Sequence, residues 1–135
     1  MGAKMAYGET TSPEIERVAT AVVDSCFVVH KRFGPGLLES VYQACLAAEL
    51  RKRAFTVLRE VKVPIFYDEV QIEEGFKLDL LVNDLVIVEV KAVEKMIPVF
   101  DAQLLTHLKL TNKQLGFLVN FNVLLIKDGI KRIIN

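Results

Sequence analysis

The 135-residue sequence has few of the features that mark a membrane, exported or disulfide-stabilised protein. Its longest uncharged apolar stretches, residues 18–23 and 115–126, are too short or too interrupted by polar residues to span a bilayer. The N-terminal segment lacks the apolar core and cleavage site of a secretory signal. We therefore expect a cytoplasmic protein that makes no membrane contact.

The sequence also lacks a net charge and the clustered cysteines of a zinc site. Seventeen basic residues balance seventeen acidic ones, so the chain has no overall basic character of the kind that many nucleic-acid-binding proteins show. Any role with nucleic acid must therefore depend on a local site. The two cysteines, Cys26 and Cys45, lie in helical patterns without a nearby partner, and we expect both to be small core residues in a reducing compartment.

The hydrophobic pattern predicts one α/β (α+β) domain over residues 12–135, preceded by a flexible tail over residues 1–11. Ser12-Pro13 is typical of a helix start, and Gly34-Pro35-Gly36 of a helix end. Pro64 predicts an edge strand or a bulge. We predict helices over 13–33, 38–53 and 99–111; strands over 57–63, 65–67, 70–73, 76–82, 86–91 and 115–120; and a closing hairpin that pairs 124–126 with 130–134.

Residues 76–91, two strands joined at Asn83-Asp84, are the most informative part of the sequence. Strand side chains alternate, so the register of this pair decides which residues share a face. A strict two-residue turn would place two charges among apolar side chains, at a cost of several kcal/mol for each unpaired ion. A three-residue loop or a bulge instead unites Asp79, Glu89 and Lys91 on one face, and we predict that register. The opposite face would then be apolar: Phe76, Leu78, Leu80, Val82, Val86, Val88 and Val90.

Two carboxylates and a lysine on one face predict a divalent-metal site. A hard cation such as Mg²⁺ or Mn²⁺ relieves the repulsion between neighbouring carboxylates, and a metal beside a lysine suits phosphodiester hydrolysis by a metal-activated water. The residues alone leave open an exposed hairpin on which Glu89 and Lys91 form a weak surface ion pair. Glu39, Gln103 and His107 could border the site, although Glu39 alone is more typical of an acid favoured by a helix dipole.

The sequence resembles the GxxExxY proteins, a branch of the PD-(D/E)XK nuclease-like superfamily. Gly36, Glu39 and Tyr42 match the signature of that branch. The likeness continues through further segments and covers residues 14–135 in all. These segments are 30–42, 75–82, 87–95, 102–105 and 116–122.

The resemblance implies a restriction-endonuclease-like core of the form α-β-β-β-α-β, with a mixed central sheet flanked by helices. It implies that Asp79, Glu89 and the backbone carbonyl of Val90 bind the metal and that Lys91 is the catalytic lysine. Glu39 would serve the metal or its water. Gln103 corresponds to the glutamine of a Gln-x-x-x-Tyr element, whose tyrosine is replaced here by His107. Asp101 stands where similar sequences have histidine.

These observations favour a magnesium-dependent nuclease, a hydrolase that cuts phosphodiester bonds in nucleic acid, and we expect the substrate to be DNA rather than RNA. The alternative is a non-catalytic binding or assembly protein that keeps the nuclease fold, which the neutral charge favours and the intact acidic and lysine positions disfavour. Hydrolysis of another phosphate ester is a third hypothesis, although the chain has neither a P-loop nor a dinucleotide-binding fingerprint. The resemblance is also compatible with a homodimer.

Overall fold

The computed structural model describes residues 4–5 and 11–135 of the chain. The flexible tail predicted over residues 1–11 lies largely outside these residues and stays a prediction. The elements are β1 (Lys4–Met5), α1 (Pro13–Phe33), α2 (Glu39–Lys52), β2 (Val57–Tyr67), β3 (Val70–Val82), β4 (Val86–Lys91), α3 (Pro98–Thr111), β5 (Leu115–Asn120), a 3-10 turn (Ile126–Asp128) and β6 (Ile130–Ile134).

The predicted limits of α1 are confirmed, together with the residues that set them. The Ser12 hydroxyl accepts a hydrogen bond from the backbone N–H of Ile15 at 3.3 Å, which satisfies one of the free donors of the first turn. Gly34 ends the helix with a φ of 66° and donates its N–H to the carbonyl of His30. Positive φ favours glycine, so the chain turns here without steric cost.

The six strands of the described residues form one mixed sheet in the order β1-β6-β5-β4-β3-β2. Strands β4 and β5 are parallel, and each of the other neighbouring pairs is antiparallel. The segment from α2 to β5 follows the order α-β-β-β-α-β, so the predicted fold class and core are confirmed.

Helices flank both faces of the sheet and create two separate apolar clusters. The larger cluster joins α1 and α2 to one face, and the smaller joins α3 to the other. Strand β4 alternates between them: Val88 and Val90 belong to the larger cluster and Ile87 to the smaller. The side chains of Glu89 and Lys91 therefore project toward the α3 side.

Strands β2 and β3 form a long hairpin at one edge of the sheet. The separate short strands predicted here are continuous, because the chain passes through the irregularity at Pro64 without leaving the pairing. The register shifts between Val63 and Ile65, and β2 is an edge strand, so both features predicted from Pro64 are confirmed.

The closing hairpin predicted from residues 124–126 and 130–134 is wrong. Ile126 begins a 3-10 turn, and β6 pairs with β5 and β1 instead. The turn brings Gly129 against β5, where a Cβ atom would stand 2.1 Å from the carbonyl oxygen of Asn120. Three consecutive apolar residues do not carry enough periodicity to distinguish a strand from a loop. Here two of the three, Leu124 and Leu125, are exposed.

Both cysteines are free, as predicted; Cys26 is buried in the larger cluster and Cys45 packs partly buried against it. No helix in the described part of the chain is long and apolar enough to cross a membrane.

Candidate active site

The loop between β3 and β4 has three residues, which confirms the predicted register. Val82 pairs with Val86 and Leu80 with Val88. Asn83 and Asp84 have φ values of 51° and 56°, a conformation that asparagine and aspartate tolerate better than most residues. Continued by one residue, this register sets Asp79 opposite Glu89.

The apolar face predicted for β3 is only partly correct. Leu80 and Val82 face α1 and α2, but Leu78 and Phe76 belong to the cluster under α3. The alternation is interrupted at Asp79, where the pairing with β2 skips Asp79 and its neighbour Glu60, which has a φ of 52°. Such a distortion increases the local twist and redirects side chains, and it lies at the residue predicted to bind metal.

The carboxylate of Asp79 occupies the gap between β3 and β4. Its Oδ2 accepts a hydrogen bond from the backbone N–H of Val90 at 2.8 Å, and the ladder between these strands ends at the Leu80–Val88 pair. A side-chain oxygen therefore replaces a strand carbonyl as the acceptor. This fixes the half-buried Asp79 beside the next residue of the motif.

Glu89 is almost entirely buried, with 8% of its surface exposed, and α3 supplies its partner. The Nδ1–H of His107 donates to Glu89 Oε1 at 3.0 Å. The imidazole also stacks on the ring of Phe76, with centroids 4.4 Å apart. Glu89 is thus held in one orientation by a side chain that is itself fixed by packing.

The two carboxylates interact strongly enough to change the protonation of Asp79. Burial and then the negative charge of Glu89 raise the pKa of Asp79 to about 7, while the N–H of Val90 acts in the opposite direction. The Glu39 carboxylate adds a smaller repulsion. All three acids therefore contribute to one local electrostatic field.

Lys91 lies at the end of β4, two residues from Glu89 and on the same side of the strand. Its Nζ sits 4.4 Å from the centroid of the Phe100 ring on α3, a cation–π contact that keeps the half-buried ammonium close to the sheet. The backbone carbonyl of Lys91 accepts from the N–H of Phe121 at 2.9 Å, which ties this end of β4 to the chain beyond β5.

A tyrosine hydroxyl positions the start of α2 and therefore Glu39. Tyr42 is fully buried; its hydroxyl donates to the carbonyl of Gly34 and accepts from the N–H of Leu37. Its ring stacks on Phe121, with centroids 4.6 Å apart. Glu39 itself is exposed as the first residue of the helix. The spacing from Gly36 to Tyr42 thus has a structural basis, since the last residue of the motif ties down the loop before the helix.

A model of the PD-(D/E)XK nuclease superfamily matches residues 16–133, which is most of the chain. The chain belongs to this superfamily. The name of the superfamily indicates a nuclease-type function and a nucleic-acid substrate. Nucleases of this superfamily generally use divalent metals. Neither the curated proteins nor the solved structures give a significant match. Membership of the GxxExxY branch stays a prediction.

The PD-(D/E)XK residues fit a divalent cation in part. Asp79 and Glu89 form a pair of hard oxygen donors whose repulsion a cation would relieve. Across residues 11–135, however, no group of three or more histidine, cysteine, aspartate and glutamate side chains is arranged to hold a metal ion. A metal on this pair would therefore need backbone or water oxygens to complete its coordination, as the resemblance implies for Val90.

The remaining positions of the PD-(D/E)XK pattern are less closely engaged. Gln103 is exposed on α3, and its side chain makes no hydrogen bond to another described residue. Asp101 pairs instead with Lys131, with 2.8 Å between Nζ and Oδ2. Sequence reasoning placed His107 near the site but did not identify its hydrogen bond to Glu89, and it missed the contact of Phe100 with Lys91. His107 and Phe100 both lie on α3, the helix that follows β4, and this position was the available signal that they could contact the site.

Proposed function

We propose that this protein is a magnesium-dependent or manganese-dependent nuclease that hydrolyses phosphodiester bonds in nucleic acid, and that its substrate is DNA rather than RNA. The observation that carries the proposal is that Asp79 lies opposite Glu89 in a partly buried site, where burial and then the charge of Glu89 raise the pKa of Asp79 to about 7. A structural role gains nothing from two adjacent carboxylates, whereas a cation site needs them. Lys91 lies two residues beyond Glu89 on the same side of the strand.

Asp79, Glu89 and the backbone carbonyl of Val90 would hold the cation in this proposal. The chemistry that a bound divalent ion supplies is Lewis acidity, which polarises a phosphoryl group and lowers the pKa of a coordinated water. His107 keeps the Glu89 carboxylate oriented through its Nδ1–H. Val90 does the same for Asp79 through its backbone N–H.

The other members of the site act on water and substrate. The Lys91 ammonium orients the attacking water or offsets the negative charge that develops on the phosphoryl oxygens. Glu39 is exposed at the start of α2 and accepts a hydrogen bond from the same water. Gln103, one turn before His107 and open to solvent, contacts the substrate at the edge of the site.

The second candidate function is a non-catalytic binding or assembly protein. The observation in its favour is that both carboxylates already have hydrogen-bond partners within the protein, so neither depends on a cation for a polar contact. In that case the charges that face one another would be a remnant of the ancestral site.

The decisive experiment compares cleavage of labelled single-stranded, duplex and branched DNA, and of RNA, by the wild type and Lys91→Ala in Mg²⁺ or Mn²⁺. Lys109→Ala is the matched control, because Lys109 is an exposed lysine of α3 without an ion-pair partner among the described residues. We expect EDTA-sensitive cleavage by the wild type and the control, and a loss of at least ~100-fold in Lys91→Ala.

Calorimetry separates the two candidate functions. The wild type should bind Mn²⁺, and Asp79→Asn and Glu89→Gln should not. If the wild type neither cuts any of these substrates nor binds a cation through Asp79 and Glu89, the catalytic proposal is wrong and the binding function is favoured.

A further inference from the structure

The outer part of the β2–β3 hairpin is an acidic arm that projects from the sheet. Strand β3 pairs with β4 only over residues 80–82, so residues 64–74 pair with one another alone. This segment, called the arm below, contains four acidic residues and no lysine or arginine. None of the four has an ion-pair partner among the described residues. They are Asp68, Glu69, Glu73 and Glu74.

One face of the arm is apolar and lies outside both clusters of the core. Ile65 pairs with Ile72 and Tyr67 with Val70, so all four side chains point to the same side. Neither apolar cluster includes them, and Tyr67 is 72% exposed. An apolar face of this kind on an edge hairpin is typical of an interaction surface.

The backbone is closely packed at the base of the arm. Gly75 has a φ of 31°, and a Cβ at this position would stand 1.9 Å from the carbonyl oxygen of Val63. The register shift between Val63 and Ile65 lies beside it. A bulge held this tightly sets the direction in which the arm leaves the sheet.

A groove elsewhere on the molecule has the complementary character. It lies between the C-terminal half of α1 and the loop before β6, has a volume of about 550 Å³ and contains no acidic residue. Its wall is formed by exposed apolar side chains, of which Leu124 is 88% exposed, and by Lys31 and Lys127. Neither lysine has an ion-pair partner among the described residues, and no residue of the arm lines the groove.

We propose that the arm of one copy docks in this groove of a second copy, and that the exchange is reciprocal in a closed twofold dimer. Three properties match: the arm is a narrow apolar ribbon, the groove is apolar, and the charges are opposite in sign. Nucleic acid does not fit the arm, because four unpaired carboxylates repel phosphates. Because the arm and the groove are different patches of one chain, a one-way contact could continue from copy to copy, whereas a twofold axis makes the exchange reciprocal and closes it after two chains.

Charge reversal tests the docking with the protein in solution. The groove variant is Lys31→Glu with Lys127→Glu, and the arm variant is Glu69→Lys with Glu73→Lys and Glu74→Lys, which changes the net charge of the arm from −4 to +2; all five residues lie at the surface. The control variant, Lys62→Glu with Lys109→Glu, makes the same charge change as the groove variant but outside both surfaces. Sedimentation velocity should show a wild-type dimer with a Kd in the micromolar range, since each contact is small relative to a standard interface. The dimer Kd should rise at least ~tenfold in either docking variant and stay unchanged in the control.

Mixing the two docking variants is the sharpest comparison. A mixed dimer contains one wild-type arm in a wild-type groove and one reversed arm in a reversed groove, so both contacts regain opposite charges. We expect the mixture to dimerise at least ~tenfold more tightly than either variant alone. Circular dichroism of each variant confirms that the fold is retained.

Three results would overturn the proposal. The first is a wild type that sediments as a monomer at about 200 µM, well above the expected Kd. The second is a dimer that both docking variants retain, which would place the interface elsewhere. The third is a mixture that associates no better than its components.

Discussion

Replacing Asp79 by asparagine should make the metal-free protein more stable at neutral and alkaline pH. The folded state holds a proton on Asp79 up to about pH 7, whereas the unfolded chain loses it near pH 3.8. Because the folded state binds more protons between these values, wild-type stability falls as the pH rises through this window. Three pKa units correspond to about 4 kcal/mol, which is the upper limit of the cost above pH 7.

Asparagine removes this cost and keeps the geometry. Its side-chain oxygen still accepts from the N–H of Val90, and its amide donates to the Glu89 carboxylate, so repulsion becomes a hydrogen bond. We expect Asp79→Asn to raise the free energy of unfolding by about 2–4 kcal/mol at pH 8 and to have little effect at pH 3.5.

Urea unfolding from pH 3.5 to 8.5 in EDTA measures the effect, with Asp128→Asn as the control. Asp128 is an exposed residue of the 3-10 turn and belongs to neither the arm nor the groove lining, so its amide variant should follow the wild type at every pH. The same titration in Mg²⁺ should stabilise the wild type and leave Asp79→Asn unchanged, because a ligand that binds only the folded state adds to its stability. A variant that is less stable than the wild type at pH 8 without metal would refute the electrostatic interpretation of the pair.

Three further predictions concern other contacts of the fold. The Glu16 carboxylate binds Arg132, which lowers the pKa of Glu16 to about 2, so this stabilisation is present above pH 4.5 and is lost as the pH falls toward 2. Glu16→Gln should lower the free energy of unfolding by ~1 kcal/mol at pH 7, after allowance for solvent screening. In urea unfolding the difference between variant and wild type should disappear in acid, and a difference that persists at pH 2 would exclude the ion pair as its cause. His107→Ala should cost ~2–4 kcal/mol in unfolding free energy at pH 7, because it leaves buried Glu89 without its donor, and a loss under ~1 kcal/mol would show that Glu89 finds another partner. Gly129→Ala should lower the free energy of unfolding by ~2 kcal/mol or more, because the added Cβ would stand 2.1 Å from the carbonyl oxygen of Asn120. Thermal unfolding measures the effect, and an unchanged Tm would mean that the turn relaxes without cost.

The sequence was sufficient for the central hairpin because two independent costs agreed there. The apolar face has to be buried, and a charge without a partner must not be buried. Both requirements favour the same three-residue loop, and the structure has this loop. The paired helices were equally predictable, since Ser12, Gly34 and the apolar period all mark the limits of α1.

The errors share a physical cause, which is that local pattern does not report tertiary contacts. Phe76 and Leu78 continue the alternation of β3 in sequence, but the distortion at Asp79 turns them toward α3. The bond from His107 to Glu89 joins residues eighteen positions apart and depends on how α3 crosses the sheet. No periodicity in either segment encodes that distance.

The hydrogen bond from Val90 to Asp79 makes one backbone amide a built-in sensor of the site. This amide depends on a side-chain carboxylate where a regular ladder would give it a strand carbonyl. Its chemical shift and its rate of hydrogen exchange therefore depend on the protonation of Asp79 and on any ligand that the carboxylate binds. The NMR resonance of the Val90 amide would therefore follow the state of the candidate active site during a titration, without an engineered label.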